Sequence, residues 1–232
     1  MCGDEKMKYD NIKQAVFIER LNRFVAKVKL DGEEILCHVK NTGRCREILV
    51  EGAKVYLEKS DNTSRKYAYS LISVYKGDRL INIDSSAPNK AVGEWLEKGG
   101  LFKNVTLIKP EKTYGKSRFD FYVEYEVKKA FIEVKGVTLE KDGVVLFPDA
   151  PTQRGVKHLN GLAKWVAEGN KAMALFIVQM NNVKYFTPNK ETHPEFAEVL
   201  TKAKNQGVEV IAVECEAGES TLTHGKEIDV IL

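Results

Sequence analysis

The chain has 232 residues, of which 43% are hydrophobic and 30% charged, and its formal net charge at pH 7 is +3. This length suits two modest domains, each able to bury its own core. No apolar run approaches the length of a membrane span, and the first thirty residues carry charges throughout. We therefore expect no membrane partner and no signal peptide. The scattered cysteines indicate reduced thiols in a cytoplasmic protein: Cys2, Cys37, Cys45 and Cys215.

The charges are unevenly distributed along the chain. Residues 1–84 contain 16 Lys and Arg against 13 Asp and Glu, whereas residues 85–232 contain 20 of each class. Six of the eight arginines lie in the first part. Arginine suits phosphate because its planar guanidinium donates two hydrogen bonds at once. This distribution favours a nucleic-acid partner, although a solvated, salt-bridged surface is the simpler explanation of charge alone.

The pattern of residues 1–84 predicts a succession of β-strands. Turn-forming Gly, Asn and Asp separate runs rich in Val, Ile, Leu, Tyr and Phe, which cover residues 15–30, 34–39, 53–59, 67–75 and 79–84. A short helical insert is predicted at residues 44–49. About five strands with such an insert predict a small antiparallel OB-like β-barrel over residues 1–84, with an SH3-like barrel as the alternative.

The pattern changes after Asp84, where helical periodicity begins. Pro88 opens the first predicted helix, Thr152 caps the second, and Pro194 starts the third. Five strand-like runs accompany them, at residues 104–109, 118–125, 130–135, 172–180 and 208–214. The order α-β-β-β-α-β-α-β predicts an α/β domain over residues 85–232, built on a mixed sheet flanked by helices.

Charged side chains interrupt two of these strands. Because side chains alternate along a strand, Glu133 and Lys135 share one face while Val134 points to the other. Asp120, on the preceding strand, is predicted on the face opposite its two phenylalanine neighbours. An acid and a lysine are out of character in a strand that is otherwise apolar.

Whether the two acids meet depends on the strand register. If an even-length turn lies at residues 127–128, Asp120 is opposite Lys135 and Tyr122 is opposite Glu133. Asp120 and Glu133 are then diagonal neighbours on one face, roughly 5–8 Å apart at the backbone. A three-residue turn would send them to opposite faces.

Such a group suits phosphodiester cleavage. Asp120, Glu133 and the carbonyl oxygen of Val134 are candidate ligands for Mg²⁺ or Mn²⁺, since these ions prefer oxygen. The metal would polarise a phosphate and lower the pKa of a bound water, and Lys135 would orient that water or stabilise charge on the phosphate. We therefore predict Asp120, Glu133 and Lys135 as catalytic residues of a metal-dependent nuclease. Taken alone, the motif is better explained by a solvated Glu–Lys pair. Its position on the second and third strands of the α-β-β-β-α-β order favours the active site instead.

A second set of residues is predicted to bind nucleic acid. Barrels of this type combine basic side chains with an aromatic ring for stacking, here Arg44, Arg46, Arg65, Lys66 and Tyr67. Arg154 begins the helix after Thr152 and is expected to contact phosphate, because a helix N-terminus attracts anions. His158 lies four residues further on the same helical face, where a polar packing interface is the favoured interpretation.

Several short strings resemble one known family: residues 41–43, 60–62, 87–89, 117–121, 133–139 and 147–150. Together with the F-P-D-A-x-T-x-R-G-x-K-H-L stretch at residues 147–159, they resemble the sugar fermentation stimulation protein A family of bacteria and archaea over nearly the whole chain. Two positions depart from the expected pattern. Phe119 stands where the wider nuclease motif has proline, and Gln153 stands where members often carry glutamate, so no catalytic carboxylate is transferred to residue 153.

The resemblance implies an OB-like domain followed by a restriction-endonuclease-like domain of the PD-(D/E)xK type. It also implies sequence-nonspecific DNA binding and a regulatory role in sugar (maltose) metabolism, with a cytoplasmic or nucleoid-associated location. In that motif Asp120 and Glu133 take the acidic positions and Lys135 the lysine position. The alternative function is a non-catalytic DNA-binding transcriptional regulator on a nuclease scaffold. A third is a metabolic regulator that responds to a small molecule. The oligomeric state is open, a homodimer included.

Overall fold

The computed structural model describes residues 7–232. After the short strand β1 (Met7–Lys8) come six strands: β2 (Ile12–Asn22), β3 (Val25–Leu30), β4 (Glu33–Val39), β5 (Lys54–Lys59), β6 (Tyr69–Lys76) and β7 (Arg79–Asn82). They form one sheet in the order β4-β3-β2-β5-β6-β7, which a further pairing between β4 and β6 closes into a barrel. The predicted OB-like barrel is confirmed.

Two local expectations for the barrel are wrong. The run at residues 15–30 is two strands, because the chain reverses at Arg23 and Phe24, where the Asn22 side chain accepts a hydrogen bond from the Phe24 N–H. The segment at residues 44–49 forms turns and not a helix. Cys45 has a φ of 48°, a left-handed conformation that cannot continue a right-handed helix.

The remaining strands form a larger mixed sheet. In chain order, these strands and the three helices between them are α1 (Ala87–Glu97), β8 (Val105–Tyr114), β9 (Ser117–Tyr125), β10 (Lys128–Val137), β11 (Leu139–Lys141), β12 (Val144–Phe147), α2 (Gln153–Ala167), β13 (Lys171–Val178), β14 (Tyr185–Pro188), α3 (Pro194–Asn205), β15 (Glu209–Ala217) and β16 (Thr221–Val230). The sheet order is β11-β12-β14-β16-β15-β13-β10-β9-β8, with β1 on β16. Met7 and Lys8 therefore extend this sheet and not the barrel.

All three predicted helices are present, on the two faces of the large sheet. The Thr152 hydroxyl accepts the N–H of Gly155 at 3.0 Å and so caps α2. Buried residues of α2 and α3 pack in one apolar cluster, whereas those of α1 pack in another. β13 lies parallel to β10 and β15 and is buried along seven of its eight residues, as its continuous apolar run predicts. No helix within residues 7–232 is long and apolar enough to cross a membrane.

Three of the four cysteines are buried thiols. Cys37, Cys45 and Cys215 form no disulfide. Burial raises the pKa of each of these thiols to about 12, so they carry protons at neutral pH. Cys2 lies outside the described residues.

A buried polar network joins the barrel to the large sheet. Asp84 is fully buried, with Lys40 Nζ 3.0 Å from its carboxylate. Gln179, just after β13, donates to Asn82 Oδ1 at 2.9 Å and to the Asp84 carbonyl at 3.0 Å. Burial alone would raise the pKa of Asp84, but hydrogen bonds from Ser86 and the charge of Lys40 outweigh it and hold that pKa below its usual range.

A salt-bridge cluster forms a second link between the sheets. Glu140 on β11 lies 2.7 Å from Lys76 Nζ and 2.8 Å from Arg79 Nη1, both on the β6–β7 hairpin. The Glu140 side chain is only 5% exposed. Burial alone would raise its pKa, but hydrogen bonds from Lys76, the Gly143 N–H and Arg79 lower it to about 2.

We expect Glu140→Gln to remove a pH-dependent part of the stability. A carboxyl with a lowered pKa stabilises the fold fully above its ordinary pKa of 4.5 and loses that contribution as the pH falls toward about 2. Urea unfolding should show wild type more stable than the variant by up to about 3 kcal/mol at pH 6, and by less at pH 3. Glu111→Gln, at an exposed side chain, is the control. An equal difference at both pH values would contradict the salt bridge.

Candidate active site

Strands β9 and β10 form a hairpin that carries the predicted acids. Lys128 pairs with Tyr125, so the turn contains only residues 126–127. The last regular pair in the ladder is Ile132 with Phe121. The turn has an even length, as the hypothesis required, but it lies one residue earlier than predicted.

This shift changes which residues face each other. Tyr122 pairs with Phe131, not with Glu133. Continued past the last regular pair, the same register brings Asp120 level with Glu133, not with Lys135. The predicted opposite pairs are therefore wrong by two residues.

Asp120 marks the point where the two strands separate. Its Oδ2 accepts the N–H of Val134 at 2.8 Å, and its Oδ1 accepts the side-chain amide of Asn89, on α1, at 2.9 Å. Phe119 packs in the cluster of α2, whereas Phe121 packs in the cluster of α1. The expectation that both rings lie on one face is wrong, because β9 rotates where the carboxylate of Asp120 replaces the regular ladder.

Glu133 is a buried carboxylate with two cationic or proton-donating neighbours. It is 3% exposed, and its Oε1 contacts Lys135 Nζ and His158 Nδ1. Burial alone would raise the pKa of Glu133, but the hydrogen bonds from His158 and Lys135 outweigh it and lower that pKa. The other oxygen, Oε2, is buried without a hydrogen-bond partner in the structure. Oε1 is thus held by two neighbours, while Oε2 is available to a ligand.

Electrostatics tie Asp120 to the same cluster. Burial raises the pKa of Asp120, and the negative charge of Glu133 raises it further. The charge of Lys135 acts in the opposite direction on Asp120 and also lowers the pKa of Glu133. Asp120, Glu133 and Lys135 therefore form one electrostatic unit.

His158 belongs to this unit, although its sequence context favoured a packing role. It is 4% exposed on α2, with Nδ1 against Glu133 and Nε2 3.5 Å from Arg154 Nε. Since Nε2 faces the Arg154 donor, the ring proton belongs on Nδ1, toward the carboxylate. The four-residue spacing of Arg154 and His158 was the available signal. It places both on one helical face but does not show what that face meets.

A close approach of α1 to β10 holds Asn89 over Asp120. A Cβ atom on Gly136 would lie 2.5 Å from Gln179 Oε1 and 2.9 Å from Pro88 Cγ. Only glycine fits there without displacing Gln179 or the rigid proline ring. Sequence reasoning did not identify the roles of Gly136 and Asn89.

A loop of the barrel reaches the segment that leads into α2. The N–H of Arg44 donates to Asp149 Oδ2 at 2.9 Å. The Arg20 guanidinium fixes the loop by donating to the carbonyls of Asn41, Gly43 and Arg44 at 2.6–2.8 Å. The barrel therefore contacts the segment that leads into α2, the helix that carries His158.

The residues predicted to bind nucleic acid lie on three segments. Exposed Arg154 lies beside the acidic cluster through His158. The loop after β4 carries exposed Arg44 and Arg46, and the β5–β6 loop carries Arg65, Lys66 and Tyr67. Of this last group, Arg65 donates to Ser70 Oγ at 3.1 Å, and Lys66 Nζ lies 5.4 Å from the centre of the Tyr67 ring.

The predicted metal ligands fit an oxygen-preferring cation in their chemistry. Within the described part of the chain, no three His, Cys, Asp or Glu side chains are grouped to hold a metal ion. The predicted set contains only two carboxylates, those of Asp120 and Glu133, and its third ligand is the carbonyl oxygen of Val134. These are hard oxygen donors, and the unpartnered Glu133 Oε2 is one of them.

The fold and site together define a class: an OB-like barrel followed by a mixed α/β domain with a carboxylate–lysine cluster. Family models match both parts, the SfsA N-terminal OB domain over residues 18–83 and the sugar fermentation stimulation protein RE domain over residues 86–221. The chain belongs to the sugar fermentation stimulation protein family, which confirms the resemblance seen in its motifs.

Relatives cover the chain almost completely. A sugar fermentation stimulation protein homolog from Clostridium beijerinckii is 56% identical over 226 residues, covering 97% of this chain and 100% of the relative. One from Ruminiclostridium cellulolyticum is 53% identical with the same coverage. The solved structure of Pyrococcus furiosus SfsA in complex with Ca²⁺ matches with a TM-score of 0.89 at 28% identity, covering 98% of this chain and 99% of that one.

We expect Gly136→Ala to destabilise the protein by about 1–3 kcal/mol, because the added methyl group would overpack the contact between α1 and β10. Gly93→Ala on α1 is the matched control, since its Cβ would meet only the Phe121 ring at 3.6 Å. That variant should be neutral or slightly stabilising, because alanine favours helix. Chemical denaturation measures both, and equal stability of the two variants would refute the close approach.

Proposed function

We propose that this protein binds DNA and cleaves phosphodiester bonds at the cluster of Asp120, Glu133 and Lys135. The observation that carries the proposal is the buried Glu133 carboxylate, whose Oε1 is held by Lys135 and His158 while Oε2 has no partner. Burying a charge costs stability, so such an arrangement points to a functional role.

The same cluster supports the use of Mg²⁺ or Mn²⁺. Asp120, Glu133 and the Val134 carbonyl would hold the ion, which when bound would polarise a phosphate and lower the pKa of a water. The Pyrococcus furiosus relative, solved in complex with Ca²⁺, supports this assignment, because Ca²⁺ also takes oxygen ligands.

Neighbouring side chains hold the two carboxylates in position and offset their negative charge. His158 anchors one Glu133 oxygen, and Asn89 anchors Asp120. Two carboxylates repel a phosphate unless cations offset them. Lys135 supplies one positive charge inside the cluster, and exposed Arg154 supplies another at its edge. Phosphate can therefore approach from the Arg154 side.

The barrel is proposed to bind the part of the nucleic acid that lies outside the acidic cluster. Its cations on the loop after β4 and on the β5–β6 loop suit phosphate contacts, and Tyr67 suits stacking. The names of the relatives connect them with sugar fermentation stimulation. We infer that DNA binding underlies a regulatory role in sugar metabolism, with maltose as the sugar implied by the resemblance.

A non-catalytic DNA-binding regulator is the second candidate function. Both Asp120 oxygens already accept hydrogen bonds, from Val134 and Asn89. Gln153 donates to Glu195 Oε2 at 2.9 Å and supplies no carboxylate of its own. These contacts suit a nuclease scaffold whose site is used only for binding.

We expect Mg²⁺- or Mn²⁺-dependent cleavage of DNA that falls on the order of 10²-fold or more in Glu133→Ala and Lys135→Ala. The assay compares single-stranded, duplex and branched substrates. Glu126→Ala, at the exposed turn of the same hairpin, is the control and should retain full activity. Cleavage that survives in Glu133→Ala would identify a contaminant, and no cleavage of any substrate would favour the second candidate.

We expect DNA affinity to fall steeply with salt, because binding at phosphates releases counterions. Replacing Arg44, Arg46 and Arg65 together by Gln should reduce the slope of log K against log salt concentration by up to about three. Lys171→Gln is the control, because it lies at the start of β13, away from the predicted binding loops. Fluorescence anisotropy titrations measure the slopes, and a slope unchanged in the triple variant would exclude these arginines.

A further inference from the structure

The turn between β2 and β3 exposes an aromatic ring. Phe24 is 49% exposed, and no other aromatic side chain within residues 7–232 is in the exposed class. The Arg23 guanidinium lies 5.9 Å from the centre of this ring. Leu21, beside them, is 47% exposed. A solvent-facing phenylalanine next to a cation combines a surface for stacking with a charge for phosphate.

The composition of this turn is not explained by turn chemistry. Asn22 pairs with Val25, so the turn has two residues, Arg23 and Phe24. Neither of these residues has a positive φ, and the side chain of Asn22 accepts the Phe24 N–H, so the turn itself requires no particular side chain at either position. The backbone therefore does not explain why an arginine and an exposed phenylalanine stand here, and both side chains are free to bind a ligand.

The turn is held rigidly in place. The Asn22 side chain accepts the Phe24 N–H at 2.9 Å, and the Phe24 carbonyl accepts the N–H of Val39 at 2.8 Å. Arg20 Nη2 donates to the Arg23 carbonyl at 2.8 Å. A ring presented by a braced backbone loses little conformational freedom when a ligand binds.

The position of the turn connects it to both basic loops. Arg20 donates to the carbonyls of both Arg23 and Arg44, so the turn is joined to the loop that contacts Asp149, in the segment before α2. On the other side, Val25 pairs with His38, His38 pairs with Ser70, and Arg65 donates to the Ser70 hydroxyl at 3.1 Å. Phe24 therefore lies between the loop of Arg44 and the loop of Arg65.

We propose that Phe24, with Arg23, is a stacking subsite for an unpaired base, and that the protein prefers single-stranded DNA segments. This inference rests on the proposed function, because it names the form of nucleic acid that the same surface takes. A ring can stack only on a base whose face is free, and the bases of a duplex already stack on one another. The surrounding arginines complement the phosphates of the same strand.

The test is anisotropy with a labelled single-stranded DNA of about 12 nucleotides and a blunt duplex of the same sequence, in EDTA. We expect Phe24→Ala to weaken single-strand binding at least about fivefold, with no change in duplex binding or in the salt slope. Phe24→Tyr should keep wild-type affinity, because its ring still stacks. Leu21→Ala, an equally exposed apolar neighbour without a ring, should also bind as wild type.

The outcomes separate this inference from the proposed function. Wild-type affinity in Phe24→Ala, an equal loss on single strand and duplex, or an equal loss in Leu21→Ala would overturn the stacking subsite while leaving DNA binding intact. A wild-type protein that binds neither DNA would overturn the proposed function and this inference together. Thermal unfolding of Phe24→Ala checks that this exposed position leaves the fold unchanged.

Discussion

The buried carboxylate of Asp84 is the constraint on which the arrangement of the two sheets depends. A fully buried charge is tolerated only where neighbours donate to it, and here Lys40, Tyr9 and Ser86 do so. Asn82 and Gln179 extend the network to the end of β13. A shift of the barrel against the large sheet would break the hydrogen bonds of Gln179, so this network, together with the second link at Glu140, fixes the arrangement of the two sheets.

The candidate active site is built outward from that network. Gln179, which bonds the Asp84 carbonyl, also limits the space beside Gly136. The resulting close approach sets the start of α1, and α1 carries the Asn89 amide to Asp120. From the other face, α2 brings His158 to Glu133. Side chains from helices on opposite faces of the sheet therefore reach one gap between β9 and β10. There the backbone hydrogen bonds between the two strands end, and the Asp120 carboxylate accepts the Val134 N–H instead.

The barrel and the acidic cluster complement each other in charge. The carboxylates would repel a nucleic-acid backbone, and only Lys135 and Arg154 offset them locally. The barrel adds cations on two loops, one of which contacts the segment before α2 through the bond from Arg44 to Asp149. In the proposed function, binding and chemistry would thus be divided between two domains that the polar network joins. Such a division accommodates both a nuclease and a regulator that uses the same scaffold for binding alone.

Local patterns in the sequence determined the OB-like barrel, the three helices, the central strands and the Asp120, Glu133 and Lys135 motif, because these depend on periodicity, capping and alternation. The structure alone decided the register, the separation of Phe119 from Phe121, and the partners of His158. It also revealed β16, whose mixed sequence shows no clear alternation yet pairs with β15 and β14. These features depend on contacts between residues distant in the chain: a side chain at Asp120 competing for a backbone N–H, and a helix meeting a strand 25 residues away. A periodic pattern shows which face a residue occupies, but only tertiary packing decides what that face meets.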